Sequence, residues 1–426
     1  GEGGKNIYVS EYGIASGVDL ARLARQFEQR ADAQVYYTRR STFRQRLEQF
    51  QADWDRWQMA EVFGRPEDFF RQCQAKMAGQ RTLGFNAIRA NPHINGVNLT
   101  GALDHGQTGE GVANTYFREW KPGAFEAMFD GFYPLRWCLF AEPVHVYRGA
   151  AIRLEAVLAN EDVLAAGKYP ARLEVFDAGR QPVFSRKIQV KVPGAADGVE
   201  PPMAFGIFSE EVKADWPEGK YHWVATFEHG AAAAGGEVEF YVTDRQFMPE
   251  VETELVLAGR DPGDWLKKNN IKAIPFEAAD QSRRQVIIVF DDLAAEKKAE
   301  VFRQLAERIA RGSTVLFLRP EVFAQEGNAL HWLPLKNKGT LLRIFGWVYP
   351  KDEWARSHPI FEGLPAGGLM DYTYYRELIP DYVFSGLDTP AEAAAGAMET
   401  SFRYSSGLLV GVYKLGAGRF VLNTLR

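Results

Sequence analysis

Asn6-Ile7-Tyr8-Val9-Ser10-Glu11-Tyr12-Gly13 is the stretch on which the reading of this chain turns. Ile7 to Val9 is a short apolar, β-prone run that ends on a single carboxylate. Gly13 and Gly17 then break the pattern ahead of a helical one. A strand that delivers a Glu at its C-terminal end, followed by a turn and a helix, is how a β/α barrel presents a catalytic residue. An ordinary strand end with a solvated Glu fits the same letters, so the rest of the chain has to decide.

Beyond Gly17, Leu20, Leu23, Ala24, Phe27 and Ala31 recur at helical spacing. Phe43, Leu47, Phe50, Trp54 and Trp57 do so again behind Ser41, a fitting N-cap, and place five apolar side chains on one helix face. Pro66 suits the first turn of a third helix, whose far end is blurred by Gly79 and Gly84. Asn91-Pro92 closes the helical stretch. His93 to Gly101 then reads as a second strand, opening into the polar glycine-rich loop Asp104-His105-Gly106-Gln107-Thr108-Gly109-Glu110-Gly111. Two strands with polar ends and a long helical crossover follow the logic of a parallel sheet or barrel. Glu11, Tyr12, Asp104, His105 and Glu110 are the groups there that can do chemistry.

The whole chain bounds the answer. A length of 426 residues implies two to four domains. Hydrophobic content of 46% with 25% charged residues is that of a globular protein, and a net charge of −5 argues against nucleic acid or an anionic membrane as partner. No apolar run approaches the ~20 residues that span a bilayer. Cys73 and Cys138 cannot build a disulfide framework. The sequence has no His-x-x-x-His, Cys-x-x-Cys, phosphate-binding loop or Gly-x-Ser-x-Gly elbow, so no metal and no cofactor is expected. The chain starts close to a strand and lacks a signal-peptide pattern, which suggests a piece of a longer protein and leaves cytoplasmic and secreted locations open.

Ser10-Glu11-Tyr12-Gly13 resembles the seventh-strand motif of clan A glycoside hydrolases, family 2 in particular, where that Glu is the nucleophile. Ile94 to His105 resembles the eighth strand and its loop. Gly109-Glu110-Gly111-Val112 and Arg118-Glu119-Trp120-Lys121-Pro122 are similar to the exit from that barrel. The resemblance implies a retaining enzyme acting on β-glycosides, β-galactosidase-like, with Glu11 catalytic and Tyr12, Asp104, His105 and Glu110 lining the sugar site. It also implies what is missing. A retaining glycosidase needs a second carboxyl about 5–5.5 Å from the first. The family's acid/base follows an Asn, and no Asn-Glu precedes Glu11. The segment alone is therefore expected to be inactive. A carbohydrate-binding or assembly module without catalysis is the alternative, and a homo-oligomer is compatible with either.

From about Phe140 the pattern becomes short alternating runs between turn residues, among them 144–147, 152–158, 171–176, 187–192, 222–227 and 237–242. With Asp215-Trp216-Pro217-Glu218-Gly219-Lys220-Tyr221 as a Pro-x-Gly-x-Tyr turn, they predict an immunoglobulin-like β-sandwich. Trp216 and Trp223 are read as core and turn residues before sugar platforms. The last third alternates continuous apolar strands (255–259, 285–290, 314–318) with helices near 264–269 and 294–311, predicting a doubly wound parallel sheet. Asp291-Asp292 at a strand end fits a metal or a helix start equally well. His358 to Pro365 and Gly416 to Thr424 resemble flavodoxin- or glutamine-amidotransferase-like domains. No Cys follows Cys138, so the amidotransferase nucleophile is lacking. Tyr372, Tyr374 and Tyr375, with Trp354, are either a contact surface or packing. The expected order is thus a multidomain α/β plus β chain: a partial (β/α)8 barrel over 1–135, the sandwich over 136–246 and the α/β domain over 247–426.

Overall fold

The computed structural model describes residues 6–29, 40–104, 108–195, 200–290, 293–344, 351–401 and 403–426. Among the described residues the fold is mixed α/β, 37% strand and 25% helix. Packing groups it into two compact units. One holds residues 1–16, 71–248 and 372–374; the other holds 17–70, 249–371 and 375–426.

The chain opens with β1 (Ile7–Tyr12), then α1 (Leu20–Gln29), α2 (Arg40–Arg56) and α3 (Pro66–Arg89), before β2 (Ile94–Leu99) and α4 (Ala124–Phe132). In the first unit β1 and β2 pair in parallel, Ile7 opposite Ile94 and Val9 opposite Val97. They form a two-stranded sheet of their own. A parallel pair is normally covered on both faces; here Ile7 and Tyr8 are exposed. Among the described residues no further barrel strand joins them. Helix α3 runs through both glycines that blur it in the sequence. Each is a point of close approach: a Cβ on Gly79 would lie 2.2 Å from the Tyr372 hydroxyl, and one on Gly84 would lie 2.0 Å from that of Tyr12.

Behind α4 come β3 (Leu135–Glu142), β4 (His145–Tyr147), β5 (Ala151–Asn160), β6 (Gly167–Asp177), β7 (Pro182–Val192), β8 (Ala204–Lys213), β9 (Gly219–Phe227) and β10 (Glu237–Thr243). They make two sheets, β3-β5-β8 and β4-β10-β9-β6-β7. Strand periodicity turns Leu154, Leu158, Leu173, Val175, Trp223 and Phe240 into one shared core. The Trp223 indole N–H donates to the Glu155 carbonyl of the opposite sheet at 3.0 Å, closing the core's main polar group. Tyr221 donates back to the Pro217 carbonyl at 2.7 Å, which fixes the turn seen in the sequence. Strands β3 and β8 are the two that alternation did not reveal. The first five residues of β3 are all buried, so it shows no polar face to alternate with. Arg136 on β3 ties this layer to α3 through Asn86 (2.7 Å) and to α4 through Asp130 (2.8 Å).

The second unit is built on β11 (Leu255–Ala258), β12 (Ala273–Pro275), β13 (Val286–Val289), β14 (Thr314–Phe317), β15 (Asp352–Ala355), β16 (Glu392–Glu399), β17 (Ser405–Leu415) and β18 (Gly418–Asn423). Their order is β12-β11-β13-β14-β18-β17-β16-β15. The first half is parallel, as the continuous apolar runs predict. From β18 onward the sheet is antiparallel, which differs from an all-parallel doubly wound sheet. Helix α5 (Lys298–Ala310) buries Phe302, Leu305 and Ile309. Gly418 allows the approach, since a Cβ there would meet the Ile309 carbonyl at 2.2 Å. The aromatic stripe of α2 is core in this unit: Trp57 packs on Trp354 (6.0 Å), and Phe50 on Phe70 (5.1 Å). Asp53 of α2 accepts from the Tyr404 hydroxyl at 2.7 Å.

Candidate functional site

The C-terminal ends of β1 and β2 lie side by side, joined by the Thr100 amide donating to the Tyr12 carbonyl at 3.0 Å. The polar residues singled out in the sequence divide here into one that faces solvent and several that hold the frame. Glu11 is exposed. Tyr12 turns the other way: its hydroxyl donates to the Arg81 carbonyl at 2.8 Å, and its ring meets Phe85 edge-on at 4.9 Å. Burial pushes its phenol up to about 12. Strand alternation is the cause, because neighbouring residues point to opposite faces.

Asp104 is buried. Its carboxylate accepts from Lys121 Nζ at 2.7 Å, from the Gly111 amide at 2.8 Å and from Asn114 Nδ2 at 3.4 Å. Lys121 Nζ also donates to the Gly109 carbonyl at 2.5 Å and to Ser16 Oγ at 3.2 Å. Burial pulls the Lys121 ammonium below its ordinary value, with Asp104 opposing that shift. Glu110 is buried as well, and its backbone carbonyl accepts from the Arg81 guanidinium. Arg81 also donates to the Ile14 carbonyl at 3.0 Å. Two buried cations therefore bridge the loop after β1 to the loop after β2, a charge-assisted framework for backbone that no sheet supports. Burial lowers Arg81 too, against the stabilising fields of Tyr12, Glu110 and Asp104. His105 lies outside the described residues, as do Asp291 and Asp292.

The glycines of the second loop are needed for this closeness. A Cβ on Gly111 would sit 2.1 Å from the Asp104 amide nitrogen. Gly101 and Gly109 hold φ of 72° and 68°, the left-handed region. Lys121 stands in the Lys-Pro motif, yet its partner could not be read from the sequence. Arg81 and Ser16 carried no sequence signal, being a helical Arg and a turn Ser like many others.

Among the described residues no group of three or more His, Cys, Asp or Glu side chains could hold a metal ion. No described helix is long and apolar enough to cross a membrane. Trp223 is fully buried, and Trp216 packs on Tyr221 and Phe240 inside the first unit. In that unit Tyr374 lies against His145 and Tyr241. In the second, Tyr375 and Trp354 are buried. These aromatics are packing.

No family model and no curated protein matches this chain. Among solved structures, a Pseudomonas fluorescens alkylpurine DNA glycosylase bound to abasic-site DNA aligns at 14% identity. It covers 28% of this chain and 32% of its own, with a TM-score of 0.19. The native E. coli alpha-2-macroglobulin aligns at 20% identity over 28% of this chain and 6% of its own, and the CARDB domain of a Pyrococcus furiosus protein with di-metal ions at 14% over 26% and 89%, both at TM-score 0.19. Likeness of this size carries nothing about fold or function.

Proposed function

We propose that this chain is the C-terminal portion of a retaining glycoside hydrolase of the family 2 type, acting on β-glycosides, with Glu11 as nucleophile. The observation that carries the reading is the parallel pairing of β1 and β2. It sets the exposed Glu11, one residue from the end of its strand, at the end of β2, where Tyr12 pairs with Leu99 and the chain runs on toward the glycine-rich loop. In this reading Asp104 and Glu110 act on a sugar only through the loop they help to hold. Tyr12 supports Glu11 from the opposite face of the strand.

Glu11 would attack the anomeric carbon, displace the leaving group and form a glycosyl ester that water then hydrolyses. Protonating the leaving oxygen is the task of a second carboxyl, contributed by barrel strands other than these two. The chain by itself therefore turns over no glycoside. The two packed sheets are in this reading an immunoglobulin-like companion domain. The C-terminal sheet is an amidotransferase-like domain without amidotransferase chemistry, because Cys73 and Cys138 are the only cysteines and both are buried in the first two-fifths of the chain.

The test is covalent trapping in a polypeptide whose barrel is complete. An activated fluoroglycoside with a dinitrophenolate leaving group needs no acid to depart, so it should leave a glycosyl mass increment on the peptide that contains Glu11. Labelling elsewhere, or unchanged turnover in Glu11→Gln, sinks the assignment.

A non-catalytic carbohydrate-binding or assembly role is the second reading, favoured by the burial of Asp104 and Glu110, which leaves Glu11 as the one exposed carboxylate among the three described candidate carboxylates. Calorimetric titration of this chain with galactosides, glucuronides and plant oligosaccharides separates the two. Binding that persists in Glu11→Gln belongs to the second.

A further inference from the structure

Helix α4 is amphipathic the wrong way round. Its inward positions are small, with Ala124, Ala127 and Gly131 buried. Its outward positions are Phe125, Phe129 and Phe132, at 51%, 62% and 41% exposure. An ordinary surface helix does the opposite. The small inward residues have a local cause, since a Cβ on Gly131 would lie 2.3 Å from the Phe85 ring. Within the unit Phe132 meets the Phe85 ring at 5.0 Å and Phe129 meets Tyr133 at 5.4 Å, yet both keep two-fifths or more of their surface in solvent.

The apolar surface continues at both ends of the helix. Trp120, 60% exposed, packs on Phe125 with ring centroids 5.3 Å apart. At the other end Phe132 and Met203 line a cavity of about 260 Å³ beside β2 whose lining is mixed, Ile94 and Val97 standing with Asn95 and the Arg89–Glu161 ion pair. Tyr8, 65% exposed, lies against Gly96. At roughly 200 Å² per aromatic side chain, these five rings leave on the order of 550 Å² uncovered. That is at the upper end of what a monomer exposes, and it approaches the ~800 Å² that each partner contributes to a stable interface.

We infer that a second copy of this chain covers this face, with α4 packed antiparallel on its own symmetry mate. The stripe is self-complementary: across a twofold axis Phe125 of one copy meets Phe129 of the other, and the reverse, so the contact closes on itself. Charge allows it. Asp130, next to Phe129, is already paired with Arg136 within the chain. The inference is independent of any role for Glu11.

Sedimentation velocity on the chain at about 100 µM should give twice the monomer mass of 47.9 kDa. Phe129→Glu should weaken the dimer at least about tenfold, while Ile360→Glu, an exposed apolar residue of the second unit, should leave it intact. Adding Phe125→Lys to Phe129→Glu should recover part of the loss, because opposite charges then face one another. All the changed side chains are exposed, and an unchanged melting temperature checks the fold of each variant. A wild-type monomer at that concentration would leave the face to a different polypeptide and overturn the inference. A dimer unaffected by Phe129→Glu would overturn it equally.

Discussion

Lys121 Nζ lies 2.7 Å from Asp104 Oδ1, with side-chain exposures of 2% and 6%, so two opposite charges are held almost entirely out of water. Such a pair is poor evidence of net stability but strong evidence of dependence, because each charge is tolerable only with the other. The pair joins the loop after β2 to the segment that leaves it, and through Ser16 to the loop after β1.

Removing one partner should therefore be costly. Lys121→Met leaves Asp104 buried beside two remaining donors, and about 3–5 kcal/mol of stability should go. The double variant Lys121→Met/Asp104→Asn should lose less than the sum of the two single changes. Urea midpoints for the four proteins give the coupling; strictly additive losses would mean that the two groups do not depend on one another.

Asp53 makes a comparable junction in the second unit. It accepts from the Tyr404 hydroxyl at 2.7 Å, from the Ser406 hydroxyl and from Arg56 Nη2 at 2.5 Å. Burial, with Asp53 adding to it, holds the Tyr404 phenol well above its ordinary value. Asp53→Ala strands a buried hydroxyl, and a loss of about 2–4 kcal/mol is expected. Tyr404→Phe in the same protein should return part of it. Denaturant titration of the single and double variants decides.

How much of this could be read from the letters depends on whether an interaction is periodic or pairwise. The helix faces of Phe27 and Phe50, the continuous strands 286–289 and 314–317 and the alternating strands of the two-sheet layer follow from local period, and the structure has them. Gly79 and Gly84 blur the far end of α3 in the sequence because their reason, a tyrosine from elsewhere in the chain, is invisible locally. The antiparallel turn of the second sheet at β18 was hidden for a related reason: a buried strand reads alike in either direction. At the candidate site, Glu11 and the glycine loop were legible as motif. The burial of Asp104 and Glu110 was not, since it depends on Lys121 and Arg81, which only the fold brings to them.

Gly84 gives a prediction with a distinctive sign. Gly→Ala within an exposed helix ordinarily stabilises by up to about 1 kcal/mol. Here the added methyl would meet the Tyr12 hydroxyl at 2.0 Å and its ring carbons at 2.7 and 3.0 Å. Tyr12 is held by the Arg81 carbonyl and Phe85, so Gly84→Ala should instead destabilise, by about 1–3 kcal/mol. Tyr12→Leu should reverse most of that penalty. A thermal midpoint that rises in the Gly84→Ala variant would show that Tyr12 is free to move.

Asp19 supplies the pH dependence. Its carboxylate accepts from the Arg22 amide at 3.0 Å at the start of α1, yet burial raises its pKa from 3.8 to about 6 against that hydrogen bond. The folded state thus keeps a proton that the unfolded chain releases near pH 3.8. Between about pH 4 and 6 the native protein binds more protons than the unfolded one, so this group's contribution to stability is full below the unfolded value and is lost as pH rises through the folded value. Two pK units bound the effect at about 3 kcal/mol. Asp19→Asn keeps an oxygen for the Arg22 amide and removes the titration. The variant should match the wild type near pH 4 and exceed it at pH 7 in urea unfolding. Parallel stability curves for the two proteins across that range would show that Asp19 is ionised in the folded state throughout.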